Sequence, residues 1–372
     1  MSSLQFKLAI RQLKKNKAFT LLNILGLTLG LTTFLLIVLY VTDELNFDRY
    51  NTKFDRIVRL NTDVVLNSQP SAFADAAPPV AATLKAHFPE VEQTARISPL
   101  TDASNSVIRF RKGDREISEI AVAQADPTLF QIFDLPMLKG DPSTALNDPH
   151  SIVLTESAAR RYFNTTDIVG RTIYRVDDNT LHTITGVIRD FPAQSSFRFD
   201  FLLSMHADKG MDLGDNFYVI EPISTFVLLK PGANRAAFDK KLDNLMRTYV
   251  KEYADMEKEN EGKYSVRLSE MPLTAIHLHS HRSDEIGING DIQYVYIFSA
   301  IAVFVLLIAG INFVNLSTAC SAGRAREVGV RKVLGSPRRQ LIAQFLTESL
   351  LLTTAAALLA LGITALAMPW FN

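Results

Sequence analysis

Three histidines at every second position, His277, His279 and His281, would share one side of an extended strand and there offer imidazole nitrogens to a metal ion. No cysteine stands near them, and the plainer alternative is a loop or strand approaching a membrane. No glycines are spaced before a Gly-Lys-Ser/Thr triplet as a phosphate-cradling loop requires, and neither a nucleophile elbow nor a zincin helix pattern is present. The chain is therefore expected to hold no catalytic residue, metal or cofactor, and nucleotide-derived energy must come from another polypeptide. The most legible local chemistry is cationic. Arg324, Arg326, Arg331, Lys332, Arg338 and Arg339 crowd one short stretch, where Glu327 stands four residues before Arg331 for a helical pair. Gly335 suits the left-handed residue that ends a helix, and Ser336-Pro337 supplies an N-cap followed by proline at the first helical position. That spacing predicts a short basic helix, a tight break and a new helix. A membrane-surface loop holding lipid headgroups accounts for it as well as a protein contact does.

The elements that carry this turn are apolar. Charge-free runs occupy residues 18–41, 293–323 and 349–372, each longer than the roughly 20 residues that cross about 30 Å of hydrocarbon. Three spanning helices follow, bounded at 18–42, 293–323 and 341–372, with a basic N-terminus at 1–17 and the turn at 324–340. Of the 39 basic residues 11 lie outside residues 43–292, but of the 39 acidic residues only 2 do, so that region keeps 28 basic and 37 acidic residues. Short basic flanks beside an acidic domain place the N-terminus and the 324–340 turn in the cytoplasm and the domain outside. A cleaved signal peptide is the competing reading of the first run, but the run exceeds a signal core and Tyr40-Val41-Thr42 offers no small-x-small site. The single cysteine, Cys320, falls in the second span, so the exported domain has no disulfide and must rely on its core. Within the spans, Gly26 and Gly30 form a small-xxx-small pair suited to close helix packing. Asn23, Asn312 and Asn315 carry amides that seek partners across helices or, alternatively, on a substrate. Glu348 is expected to pair with an arginine of the turn rather than to relay protons, and Trp370 suits an aromatic belt.

Between the first two spans the sequence reads as α+β. Residues 56–60 alternate as a half-buried strand, 78–88 carry Val80, Leu84 and Phe88 at helical spacing, and 91–97 return as a strand. Strand signals continue at 106–111, 116–123, 172–176, 180–188 and 197–203, with a helix at 156–163 among them. Lys112-Gly113-Asp114 and Asp177-Asp178-Asn179 punctuate antiparallel hairpins. A strand at 224–229, a capped amphipathic helix at 234–249 and a strand at 264–268 complete the series. The expected architecture is three transmembrane helices with a two-lobed α+β domain, its middle lobe inserted into the outer one.

Two further runs carry a resemblance. Ile311-Asn312-Phe313-Val314-Asn315-Leu316-Ser317-Thr318 precedes Arg324-Ala325-Arg326-Glu327-Val328-Gly329-Val330-Arg331-Lys332-Val333-Leu334-Gly335, followed by Arg338-Arg339-Gln340-Leu341-Ile342 and Phe345-Leu346-Thr347-Glu348-Ser349. In this ordered string the chain resembles the FtsX-like permease family, the membrane subunits of MacB, LolC/E and FtsX type ABC systems. Its N-terminal part, from Ala9-Ile10-Arg11 to Asp43-Glu44-Leu45-Asn46-Phe47-Asp48, looks like the start of the same permeases, and Ile152-Val153-Leu154-Thr155-Glu156 with Gly186-Val187-Ile188-Arg189-Asp190-Phe191-Pro192 resembles their periplasmic core. The resemblance implies a multi-pass protein of a bacterial inner membrane whose turn, with Arg324, Arg326, Glu327, Arg331, Lys332, Gly335, Arg338 and Arg339, couples to a separate ABC ATPase. Gly26, Gly30, Asn312 and Asn315 would serve helix packing. ATP binding would then move the periplasmic domain, for export or for force transmission. Family members have four spans per unit, often in tandem, whereas three are visible here, so a second permease half or a homodimer is expected beside membrane lipids and a periplasmic adaptor, and no nucleic acid. A membrane-anchored periplasmic ligand sensor is the alternative, although such a sensor would want a cytoplasmic signalling domain after the second span.

Overall fold

The computed structural model describes residues 11, 13, 17–101, 107–207, 217, 222–259, 263–323, 325–335 and 337–370, with the side chains of 252–254, 256, 320–323, 325–327, 331 and 370 left aside. It divides into two compact units, Met1–Leu45 with Ile292–Asn372, and Asn46–Asp291.

Three helices, Lys17–Leu45, Ile292–Gly323 and Arg338–Ala367, are long and apolar enough to cross a membrane. Their burial is inverted relative to a water-soluble bundle. The first helix buries Asn23, Thr28, Gly30 and Thr32, while Leu21, Leu22, Leu25 and Leu29 are exposed. In hydrocarbon, leucine gains nothing by leaving the surroundings, so contacts go to small residues that allow close approach and to polar groups that need partners. Ala302 and Ala309 of the second helix and Ala356, Ala360 and Thr364 of the third follow the same rule, and Val295 and Leu352 extend the same buried faces. They recur every seven and every four residues, so each set lines one helix face.

The other unit is built on a 13-stranded sheet: β1 Ile57–Leu66, β2 Gln69–Phe73, β3 Val91–Pro99, β4 Ile108–Lys112, β5 Arg115–Glu119, β6 Val122–Ala125, β7 Met137–Gly140, β8 Ser151–Thr155, β9 Thr172–Arg175, β10 Thr180–Ile188, β11 Phe201–Ser204, β12 Ser224–Leu229 and β13 Ser265–Pro272. The strand order is β13-β1-β12-β3-β6-β11-β8-β10-β9-β4-β5, with β2 against β1 and β7 against β10. β4 to β11 thus form an inserted lobe and the flanking strands an outer lobe, joined where β3 and β6 pair over Ile97↔Ala125, Ser98↔Gln124 and Pro99↔Ala123. Both expected hairpins are present: β4 pairs with β5 around Gly113 (φ 59°) and β9 with β10 around Asn179 (φ 60°). The parallel β8–β10 pair needs a crossover, which the helix Glu156–Phe163 and β9 supply. Thr155 caps that helix by accepting from the Ala158 N–H.

One apolar cluster gathers Ile57, Ala95 and Phe226 with Phe133, Val153 and Phe197, and so runs across both lobes. A second lies under the helices Val80–His87 and Arg235–Tyr249, and a third under Glu156–Phe163. Three local expectations are corrected. The strand expected at 116–123 is two, β5 and β6, the first an edge strand and the second fully buried. The segment with alternating histidines is a helix, Leu273–His279, that buries Leu273, Ile276 and Leu278. The helix expected to open with Pro337 as its first residue begins one residue later, at Arg338, with Pro337 itself in the cap position.

Candidate functional site

The helix Ala325–Val333 follows directly on the second span and ends in a turn in which the Leu334 N–H donates to the Val330 carbonyl at 3.0 Å and the Gly335 N–H to that of Lys332 at 3.1 Å. Gly335 sits at φ 88°, a conformation that costs glycine nothing and any side chain energy. Two residues on, the Gln340 N–H donates to the Pro337 carbonyl at 2.9 Å, and the third span begins. The turn is therefore a short helix that lies in sequence between two long ones, with Gly335 at its C-terminal end. Lys332, Gly335, Arg338 and Arg339 are exposed. Arg324 lies outside the described residues. Arg326, Glu327 and Arg331 belong to the helix, and their side chains, with any Glu327–Arg331 pair, lie outside the description, as does Ser336.

Beside these charges stand apolar side chains that the charge pattern hid. Val330, Val333 and Leu334 are 55, 88 and 80% exposed, at spacings of three and four that put them on one helix face. The i, i+3, i+4 rule could have found them in the sequence. The turn thus carries exposed apolar side chains beside the exposed cations Lys332, Arg338 and Arg339.

Behind the turn, the spans meet closely. A Cβ added at Gly26 would come within 3.1 Å of the Asn312 amide nitrogen, and one at Gly30 would collide with Ala309. Thr28 donates to the Ala356 carbonyl at 3.3 Å, tying the first span to the third. Asn23 is buried and donates to the Phe19 carbonyl at 3.1 Å. Asn315 is exposed, and the buried Glu348 accepts from Gln344 at 3.1 Å. The histidines are not brought together: His277 is buried with its ring stacked on Phe47 at 3.4 Å between centroids, His279 is exposed on the same helix, and His281 stands 3.8 Å from Asp291. Among the described residues no cluster of three His, Cys, Asp or Glu could hold a metal ion.

Known proteins share this organisation. The family described as MacB-like periplasmic core domain matches residues 20–245, and that described as FtsX-like permease C-terminal matches residues 299–372. The macrolide export ATP-binding/permease protein MacB of Brucella melitensis is 22% identical over 371 residues, covering 97% of this chain and 53% of that protein. The uncharacterised ABC transporter permease YknZ of Bacillus subtilis is 42% identical over 67 residues, 18% of this chain and 17% of that one. The chain therefore spans about half the length of the Brucella relative and far less of the Bacillus one. A crystallised domain from Porphyromonas gingivalis, described as part of a permease, superposes with a TM-score of 0.50 at 22% identity over 60% of this chain and 91% of its own, a likeness of fold.

Proposed function

Because this chain belongs to the family of permeases with a MacB-like periplasmic core domain and an FtsX-like C-terminal domain, we propose that it is the membrane subunit of an ABC system whose ATPase docks on the turn at 324–339 and thereby moves the domain at 43–292. The observation that carries this reading is the turn itself. Its apolar ridge of Val330, Val333 and Leu334 has no water-soluble purpose, and Lys332, Arg338 and Arg339 beside it favour an acidic partner. A short helix set only a few residues from each span leaves little slack, so a partner that binds one position of the turn better than another shifts the spans with it. In this arrangement the N-terminus and the turn are cytoplasmic, the inter-span domain is periplasmic, and ATP is hydrolysed on a separate chain. A second permease half, a homodimer or a periplasmic adaptor would complete the assembly. The work done is export or force transmission to a periplasmic partner.

The reading is tested by reversing charge in the turn. Arg326→Glu with Arg331→Glu should abolish co-purification of the cognate ATPase while the chain still inserts and accumulates. An ATPase that associates and hydrolyses ATP as before would refute the docking role.

A further inference from the structure

The inter-span domain is tied to its two membrane helices by short segments, an incoming one at residues 46–54 and an outgoing one at 280–291, and the polar clamps that fasten them go to different lobes. On the incoming side, Asp48 is fully buried at φ 60°. Its N–H donates to the Gln194 carbonyl at 2.8 Å, and its carboxylate accepts from the Ser196 N–H at 3.0 Å and from the Ser196 hydroxyl. Tyr50 shares a 3.0 Å hydrogen bond with Ser195, and the buried Asn51 accepts from the Asp134 N–H at 3.0 Å. All these hydrogen-bond partners belong to the inserted lobe, while the neighbouring Phe47 stacks its ring on His277 of the outer lobe at 3.4 Å between centroids. On the outgoing side, Glu285 takes both Arg59 terminal nitrogens, at 2.5 and 3.1 Å, and Arg59 is a fully buried residue of β1. Ser283 exchanges backbone hydrogen bonds with Ala72 and Ala74 at 2.9 Å, and Arg282 binds Asp63 at 2.6 Å. These partners belong to the outer lobe. Where the outgoing segment touches the inserted lobe, Gly287 lies so close to the Ser196 carbonyl that a Cβ there would collide with it.

We infer that the first span is clamped by hydrogen bonds to the inserted lobe and the second to the outer lobe, so that a displacement of one span's outer end against the other's becomes a rotation between the lobes about the β3–β6 seam. That seam has three ladder pairs, extended by hydrogen bonds from the Leu100 N–H to the Val122 carbonyl, from the Asp126 N–H to the Arg96 carbonyl and from the Thr128 hydroxyl to the Thr94 carbonyl, and by the Arg96–Asp126 ion pair at 2.9 Å. Around it the lobes meet through Phe226, Phe133 and Phe197, whose ring contacts at 5.0 to 5.6 Å are non-directional and tolerate a small turn. The hydrogen-bonded clamps do not, because each buried polar group in them would be left unpaired. The inference rests on the permease reading for the source of the motion and on the structure alone for the wiring.

The wiring is measured by hydrogen–deuterium exchange on the full chain in lipid nanodiscs, without any partner. Asp48→Ala should speed exchange about tenfold at 194–197 and 131–135 and leave 72–75 unchanged, and Glu285→Gln should do the reverse, since local opening reports the contacts of each segment separately. Should either fail to fold, Tyr50→Phe and Arg282→Ala remove one contact of each clamp and must give the same opposite pattern. A variant that loosens both sets together, or variants that loosen neither, would overturn the inference. Transmission is read from the distance between spin labels at Ser118→Cys and Lys240→Cys in a Cys320→Ser chain with its ATPase. Nucleotide should shift that distance in the parent and not in Asp48→Ala. An equal shift in Asp48→Ala overturns the inference, whereas opposite exchange patterns with no shift in the parent uphold the wiring and count against the permease coupling instead.

Discussion

Asp75 lies between β2 and the helix Val80–His87 with 1% of its surface exposed, and neither carboxylate oxygen has a hydrogen-bond partner among the described residues. Burial pushes its carboxyl up to about 7, and the nearby Asp284 adds to this against the opposing pull of Arg59. A carboxyl whose folded value exceeds its unfolded one stabilises most fully when protonated, below about 4, and loses that contribution as pH rises through about 7. Asp48, raised by burial to about 6 against the hydrogen bonds of Ser196 and the field of His277, adds a slope of the same sign. Their contribution should therefore lower the thermal midpoint of the full chain between about pH 4 and 7 and leave it level above that. Asp75→Asn should flatten that fall and raise stability at pH 8.5 by on the order of 2 kcal/mol, once solvent screening is allowed for. Parallel pH curves for parent and variant would show that Asp75 is ionised throughout. None of this is legible in the sequence, where Asp75 is one acid among many and only the fold decides which is shut away from water.

Elements were legible to the extent that one face of each meets water. Strand signals gave β3 and β10; alternation at 56–60 placed β1 but not its burial, since Ile57 to Thr62, Arg59 included, are all buried where a half-buried strand was expected. Helical spacing with a capping residue gave Glu156–Phe163 and Arg235–Tyr249, the latter capped by Asn234 accepting from the Ala237 N–H. β8 has no alternation to read, because all five of its residues are buried between covered faces. β2 is an exposed strand whose Pro70 hides it, and the helix Leu273–His279 was masked by histidines whose period of two overlies apolar residues of helical spacing. In the candidate site the cations and Gly335 could be read from type and spacing, but the pairing of Gly30 with Ala309 could not, since it depends on how two helices cross. That pairing makes a sharp test. Gly30→Leu should overpack the first and second spans and cost about 1–3 kcal/mol, seen as a lower thermal midpoint in detergent. Gly362→Leu, which meets open space, should be tolerated. Equal behaviour of the two variants would mean that the spans do not pack through Gly30.

At the scale of the whole molecule, the order of strands in the sequence already implied one lobe inserted in another, but not that a single sheet continues through both. That continuity depends on three residue pairs at the ends of β3 and β6, too few to leave a pattern. The sidedness of the chain rests on a different signal, the division of charge. Moving Arg324 to Arg339 across the bilayer would carry six cations against the bias that keeps such short basic loops on the cytoplasmic side, whereas the acidic inter-span domain meets no such bias. In a Cys320→Ser background, Ser118→Cys on β5 and Leu334→Cys in the turn are both exposed positions that report the two sides. A membrane-impermeant maleimide should label Ser118→Cys in intact spheroplasts and Leu334→Cys only after lysis. If both label in intact spheroplasts, the turn faces the periplasm, no cytosolic ATPase can reach it, and the docking role proposed for its arginines and its apolar ridge fails together with the assigned topology.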